Sequence, residues 1–123
     1  MKLETMKHLP HHFGKVAENL AVRHLQEKGF EMIERNYRYK RAEVDIIAKQ
    51  KNLLLFIEVK GRSSERFGHP EEFVTATQQR LLLEAAAHYV IEHNWTQPIR
   101  FDIIAILMKK GQLQVTHLED AFY

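Results

Sequence analysis

The chain reads as an α/β protein: a mixed central sheet of about five strands flanked by helices. Three observations predict this. Two segments repeat apolar residues at helical spacing, Ala17, Leu20, Ala21 and Leu25 in one and Leu81, Leu82, Ala85 and Tyr89 in the other. The run Leu53 to Ile57 is apolar on consecutive positions, as in a strand covered on both faces. The order along the chain is helix, three strands, helix, two strands, which suits one sheet with a helix on each side.

The first helix is expected over 14–28, with Gly29 as its left-handed stop. A first strand spans 30–37 and runs into a basic turn at 37–41. Val44 to Lys49 is the second strand and Leu53 to Lys60 the third, joined by a hairpin at Gln50-Lys51-Asn52. A Gly-, Ser- and Pro-containing loop covers 61–70. The second helix is expected over 75–93, with Thr75 as a candidate N-cap. Pro98 resets the chain before a fourth strand at 99–107, a turn at Lys109-Lys110-Gly111 and a short fifth strand at 113–117. Residues 1–13 read as a loose arm and 14–123 as one domain, which 123 residues are enough to supply with a core.

Composition excludes several classes. The apolar fraction of 45% is ordinary for a globular protein, and a net charge of +2 creates no strong global field toward nucleic acid. There is no cysteine, so disulfides and thiolate metal sites are out and a cytoplasmic location is the expectation. Any metal would be held by carboxylate, carbonyl or imidazole, which favours Mg²⁺ or Mn²⁺. No apolar stretch approaches membrane-spanning length, and 1–12 lacks the apolar region of a signal peptide. His8, His11 and His12 are irregularly spaced on the arm and make a poor metal cage.

The chemistry gathers on the second and third strands. Asp45, Glu58 and Lys60 are charges in segments that otherwise read as core, and a buried charge needs a partner or a metal. With period-two alternation, Glu43 and Asp45 share one face and Glu58 and Lys60 share another. A hairpin register bringing Asp45 to Glu58 would join two carboxylates and an ammonium at one end of the sheet. Two carboxylates suit a hard divalent cation, and the ammonium can hold a water or offset charge on a phosphate. The alternative is a cross-strand salt bridge between Lys60 and an acid.

Other residues are placed around this group. Glu18 borders the packed stripe of the first helix and can reach the sheet or be a solvated glutamate. Gln78 heads the stripe of the second helix and can meet a phosphate or serve the helix start. Arg38, Lys40, Arg41, Arg62 and Arg66 can neutralise a nucleic-acid backbone, with Tyr37, Tyr39 and Phe67 available for stacking. A solvated basic rim explains the same residues.

These residues together resemble the YraN-like bacterial proteins, uncharacterised protein family 0102, of the PD-(D/E)xK nuclease superfamily. The matching segments are Ala17-Glu18-Asn19-Leu20-Ala21, Arg35-Asn36-Tyr37-Arg38 and Ala42-Glu43-Val44-Asp45-Ile46-Ile47. They continue with Phe56-Ile57-Glu58-Val59-Lys60-Gly61-Arg62-Ser63, Val74-Thr75-Ala76-Thr77-Gln78-Gln79, Arg100-Phe101-Asp102-Ile103-Ile104 and Asp120-Ala121-Phe122. The resemblance implies a restriction-endonuclease-like fold and a metal-dependent endonuclease acting on nucleic acid, with DNA, branched DNA included, as the expected substrate. It implies Asp45, Glu58 and Glu18 as ligands of Mg²⁺ or Mn²⁺ and Lys60 as the catalytic lysine. Gln79 matches the superfamily's helix glutamine, and Arg38, Arg41, Arg62 and Gln78 would grip the strand. A homodimer would suit a junction-cutting enzyme. The alternative is a nucleic-acid-binding protein of the same fold that does not cut. The chain departs from the pattern at Ala17 and Ala42, where the family has glycine, and at Gln78, where it has lysine. Alanine would be strained at either position if φ were positive.

Overall fold

The structure, a computed structural model, describes residues 10–62 and 74–123. Its elements are α1 (Pro10–Glu27), β1 (Glu31–Tyr39), β2 (Ala42–Gln50), β3 (Leu53–Arg62), α2 (Ala76–Glu92), β4 (Ile99–Lys109) and β5 (Gln112–Leu118). The five strands form one open sheet in chain order. All neighbours are antiparallel except β3 and β4, which run parallel with α2 as the crossover between them. This is the mixed α/β layer expected from the sequence, and it is consistent with a restriction-endonuclease-like core. Among the described residues, no helix is long and apolar enough to cross a membrane.

The helices cover opposite faces. Ala17, Ala21 and Leu25 of α1 pack on Ile46, Ala48, Leu55, Ile57, Ile104 and Ile106. Leu82, Ala85, Ala86 and Tyr89 of α2 pack on Val44, Ile47, Leu54, Phe56 and Phe101. β3 thus sends one parity to each layer, which is why its sequence is apolar on both faces.

Local chemistry explains the ends. Gly29 has φ +89, and the bonds from Phe30 N to Leu25 O and from Gly29 N to Gln26 O close a Schellman motif, with Phe30 and Leu25 in one cluster. Thr75 caps α2 in a reciprocal capping box with Gln78. The helix expected from Gly14 begins instead at Pro10, since a proline in the first turn lacks only an N–H that has no helical partner there. The rest of the arm, His8 included, lies outside the described residues, as do the side chains of His11 and His12, Arg66 and Phe67, and most of the 61–70 loop.

β3 continues past Lys60 because β4 carries the ladder onward, pairing Gly61 with Ile106 and Arg62 with Leu107. Gly61 lies under α1. A Cβ at that position would stand 2.5 Å from Phe13 Cε1 and 3.3 Å from the Ala17 Cβ. Ala17 and Ala42 are both buried, and neither has positive φ, so the alanines sit at no backbone strain.

One strand over from the acid pair, Asp102 of β4 lies opposite Ile57 and is fully buried. It accepts from Arg100 Nε and Nη2 at 2.9 Å each, from the Asp120 N–H at 2.9 Å, and pairs with His117 Nε2 at 2.7 Å. Burial pushes its pKa up, but the bonds from His117, Arg100 and Asp120 outweigh that and hold it below the usual value. The pattern fastens β5 and the C-terminal segment to β4, helped by Ala121 N donating to Phe101 O at 2.7 Å.

Candidate functional site

Asp45 sits where the alternation of β2 changes sides. Ala42 and Val44 belong to the α2 layer, whereas Ile46 and Ala48 belong to the α1 layer. Strict period-two alternation therefore does not run through Asp45, contrary to the sequence expectation. Opposite it on β1, between the pairs Arg35↔Ile46 and Tyr37↔Val44, Asn36 has φ +56. Asparagine tolerates that left-handed backbone better than most residues. The switch lets Asp45 line two clefts, one on each side of the sheet.

The β2–β3 register places Ile46 against Ile57, so Asp45 and Glu58 follow as the next positions along the two strands. Their carboxyl groups are in hydrogen-bonding contact. Asp45 Oδ2 also accepts the Val59 N–H at 2.7 Å. Lys60 Nζ lies 3.4 Å from Glu58 Oε1, with both side chains mostly buried. The expected convergence of Asp45, Glu58 and Lys60 is thus present, and the salt bridge offered as its alternative is part of it.

The electrostatics favour a proton on the pair. Burial first, and the charge of Glu58 second, push the Asp45 carboxyl up to about 8, against the Val59 N–H, which favours the ionised form. Burial also raises Glu58 above its ordinary value, and the Lys60 ammonium and the bond from Asp45 only partly offset it. Both members of the pair therefore hold a proton more readily than a free carboxyl. Among the described residues no buried side-chain nitrogen or oxygen lacks a partner; here the Val59 N–H serves Asp45 and the Lys60 ammonium serves Glu58.

The cleft on the α2 side has a volume of about 220 Å³ and is lined by Arg41, Glu43, Asp45, Glu58, Gln78 and Leu81, among others. The cleft on the α1 side, about 250 Å³, joins Asp45 and Glu58 to Glu18, Ala17 and Gly61. Glu18 is near enough for its charge to raise the Asp45 pKa, but its Oε1 accepts from Arg35 Nε and Nη2 at 3.0 and 2.8 Å and from Asn36 Nδ2 at 3.2 Å. Among the described residues, no three acids or histidines come together as a ready cation cage. The donor set nevertheless fits a hard divalent cation, since two adjacent carboxylates, freed of the shared proton, offer oxygen ligands and leave room for water.

The remaining expected residues divide. Gln78 faces the α2-side cleft and also serves the helix start, its Oε1 accepting the Thr75 N–H at 2.9 Å. Gln79 lines neither cleft and donates to Val74 O at 3.3 Å. Arg41 lines the cleft, Arg38 pairs with Glu43 at 2.8 Å on the surface, and Arg62 donates to Gly61 O at 2.9 Å. Sequence reasoning missed the clamp on Glu18. Arg35 and Asn36 were legible only as motif residues, because a helix-to-strand contact leaves no spacing signal.

The family model of uncharacterised protein family UPF0102 matches residues 17–106, a span that contains every residue of this site. The chain belongs to that family. Similar relatives bear the same family name: one from Christiangramia forsetii is 48% identical, covering 89% of this chain and 92% of its own length. One from Flavobacterium psychrophilum is 44% identical with the same coverage. One from Chlorobium limicola is 42% identical, covering 96% of this chain and 97% of its own length. UPF0102 membership agrees with the motif segments read from the sequence.

Proposed function

We propose that the protein is a Mg²⁺- or Mn²⁺-dependent nuclease that hydrolyses a phosphodiester of nucleic acid, DNA in the first instance. The observation that carries this reading is the buried contact between Asp45 and Glu58 with Lys60 beside it. Two carboxyls forced together in a cleft cost stability unless a proton or a cation separates them, and such pairs gather at functional sites. Their resemblance to the acid pair and lysine of PD-(D/E)xK nucleases supports the same assignment.

Asp45 and Glu58 would hold the cation, with Glu18 at the edge of the α1-side cleft. When bound, that cation supplies Lewis-acid stabilisation of charge on a phosphoryl oxygen. Lys60 orients a water for in-line attack or offsets charge developing on the phosphate. Arg41, in the cleft wall, anchors a phosphate, and Arg38 and Arg62 extend that grip. Gln78 offers an amide N–H₂ to a phosphate oxygen while its carbonyl oxygen stays on Thr75 N.

The test is cleavage of linear and branched DNA with Mn²⁺ by wild type, Asp45→Asn and Lys60→Ala. Wild type is expected to cut and both variants to lose activity; equal activity in all three ends the proposal. A second reading, a binder that does not cut, draws on the clamped Glu18, which leaves two carboxylates facing each other. Salt-sensitive DNA binding with no Mn²⁺ binding that depends on Asp45 and Glu58 decides for it.

A further inference from the structure

The β1–β2 turn sends two consecutive cations to two different clefts. Arg41 lines the acid cleft, and Lys40 lines a separate one with Tyr39 of β1 and Glu84, Ala87, His88 and Ile91 of α2. This second cleft has a volume of about 430 Å³, within the range of sites that hold small ligands. Its α2 wall is a single ridge, since 84, 87, 88 and 91 follow the i, i+3, i+4, i+7 spacing.

Its lining combines two stacked rings with aliphatic carbon. Tyr39 and His88 stack with centroids 4.0 Å apart and planes inclined by 20°. Tyr37 Oη fixes the His88 ring through Nδ1 at 2.7 Å. Lys40 Nζ stands 5.3 Å from the Tyr39 centroid. Ile91 is 75% exposed, far more than any other large aliphatic residue among those described.

We propose that this cleft receives one unpaired nucleobase of a strand whose backbone crosses the Lys40-Arg41 turn into the acid cleft. The inference rests on the nucleic-acid reading above and adds to it a preference for unpaired nucleotides. A π-face and an aliphatic wall suit a stacked base of any identity, and a base inside a duplex cannot present its face without being extruded. The charges orient the occupant. Lys40 attracts the phosphate, whereas the Glu84 carboxylate repels it and accepts from an exocyclic amino group. Two charges of opposite sign around a small apolar lining suit a nucleotide better than an apolar peptide.

The experiment is fluorescence anisotropy with a short labelled single strand and the matching duplex, at low salt with EDTA. The variants are Ile91→Glu, on an exposed wall, and Lys40→Gly. Glycine accepts the φ of +54 at position 40, so that variant removes the charge without straining the turn. Each is expected to weaken single-strand binding about five- to tenfold while changing duplex binding less than about twofold. Quenching of a 2-aminopurine in the strand is expected with wild type and is lost in Ile91→Glu. Oligo-dC is expected to bind more tightly than oligo-dT, a difference that Glu84→Ala erases by removing the acceptor.

Single-strand binding at wild-type strength in both variants, equal losses on single strand and duplex, or no single-strand binding by wild type overturns the inference. No step of the assay needs a cation or cleavage. Loss of the nuclease reading with these binding differences intact would leave the cleft assigned. Active cleavage with no such differences would remove the cleft alone.

Discussion

Arg35 holds Glu18 by two guanidinium bonds onto one oxygen, Nε at 3.0 Å and Nη2 at 2.8 Å. A carboxylate so engaged has its charge offset by Arg35 and only its second oxygen to offer a cation between Asp45 and Glu58. Glu18→Gln is therefore expected to weaken Mn²⁺ binding about threefold or less, and Asp45→Asn about tenfold or more, by calorimetric titration. Equal losses would place Glu18 among the primary ligands.

The pH dependence of stability has a definite sign. Asp45 has a folded pKa of about 8 against an ordinary value of 3.8, so the native state holds its proton more tightly than the unfolded chain. This contribution is complete below about pH 4 and is lost as pH rises through about 8. In EDTA the melting temperature is expected to fall between about pH 6 and about pH 9, and Asp45→Asn to flatten that fall. A wild-type curve as flat as the variant's would refute the shared proton.

Cation binding must displace the same proton. Below about pH 8, Mn²⁺ affinity is expected to rise with pH, by up to about tenfold per unit, with proton release on binding. Calorimetry in two buffers of different ionisation enthalpy measures the released protons directly. Binding without proton release would show that the cation sits elsewhere.

Gly61→Ala tests the approach of α1 to β3. The added methyl meets Phe13 and Ala17, and a loss of about 1–3 kcal/mol is expected in urea unfolding. Adding Phe13→Leu should recover part of it, because the Phe13 ring is the nearest obstacle.

Asp102→Asn removes the buried charge that Arg100 and His117 share, and is expected to cost about 3–5 kcal/mol. Asp102 has a depressed pKa, so its contribution is present above the ordinary carboxylate value and is lost as pH falls through its folded pKa. Acid unfolding should therefore begin at higher pH in Asp102→Asn, which has less stability to lose, while its stability falls with a shallower slope across the acid range.

The legible part of this protein was local. The stripes of the two helices, the glycine stop at Gly29 and the doubly apolar β3 all follow from short-range patterns, and each stands where it was expected. The meeting of Asp45 and Glu58 followed from a hairpin, whose register is set nearby. What escaped depends on distant partners. β3 runs to Arg62 because β4 pairs with it, and the parallel pairing joins segments separated by a whole helix. The change of side at Asp45 depends on the backbone of Asn36 across the sheet. The Asp102 anchor joins β4, β5 and the C-terminal segment, so no window of sequence contains it.

The Val59 N–H points at Asp45 Oδ2, at 2.7 Å, on a strand at the centre of the sheet. That amide is a built-in spectroscopic gauge. Its proton chemical shift must follow the charge on Asp45, so a single backbone resonance would titrate with the carboxyl pair and move again when a cation takes the proton's place. The site can thus be watched in the intact wild-type chain, with no label attached and no residue exchanged.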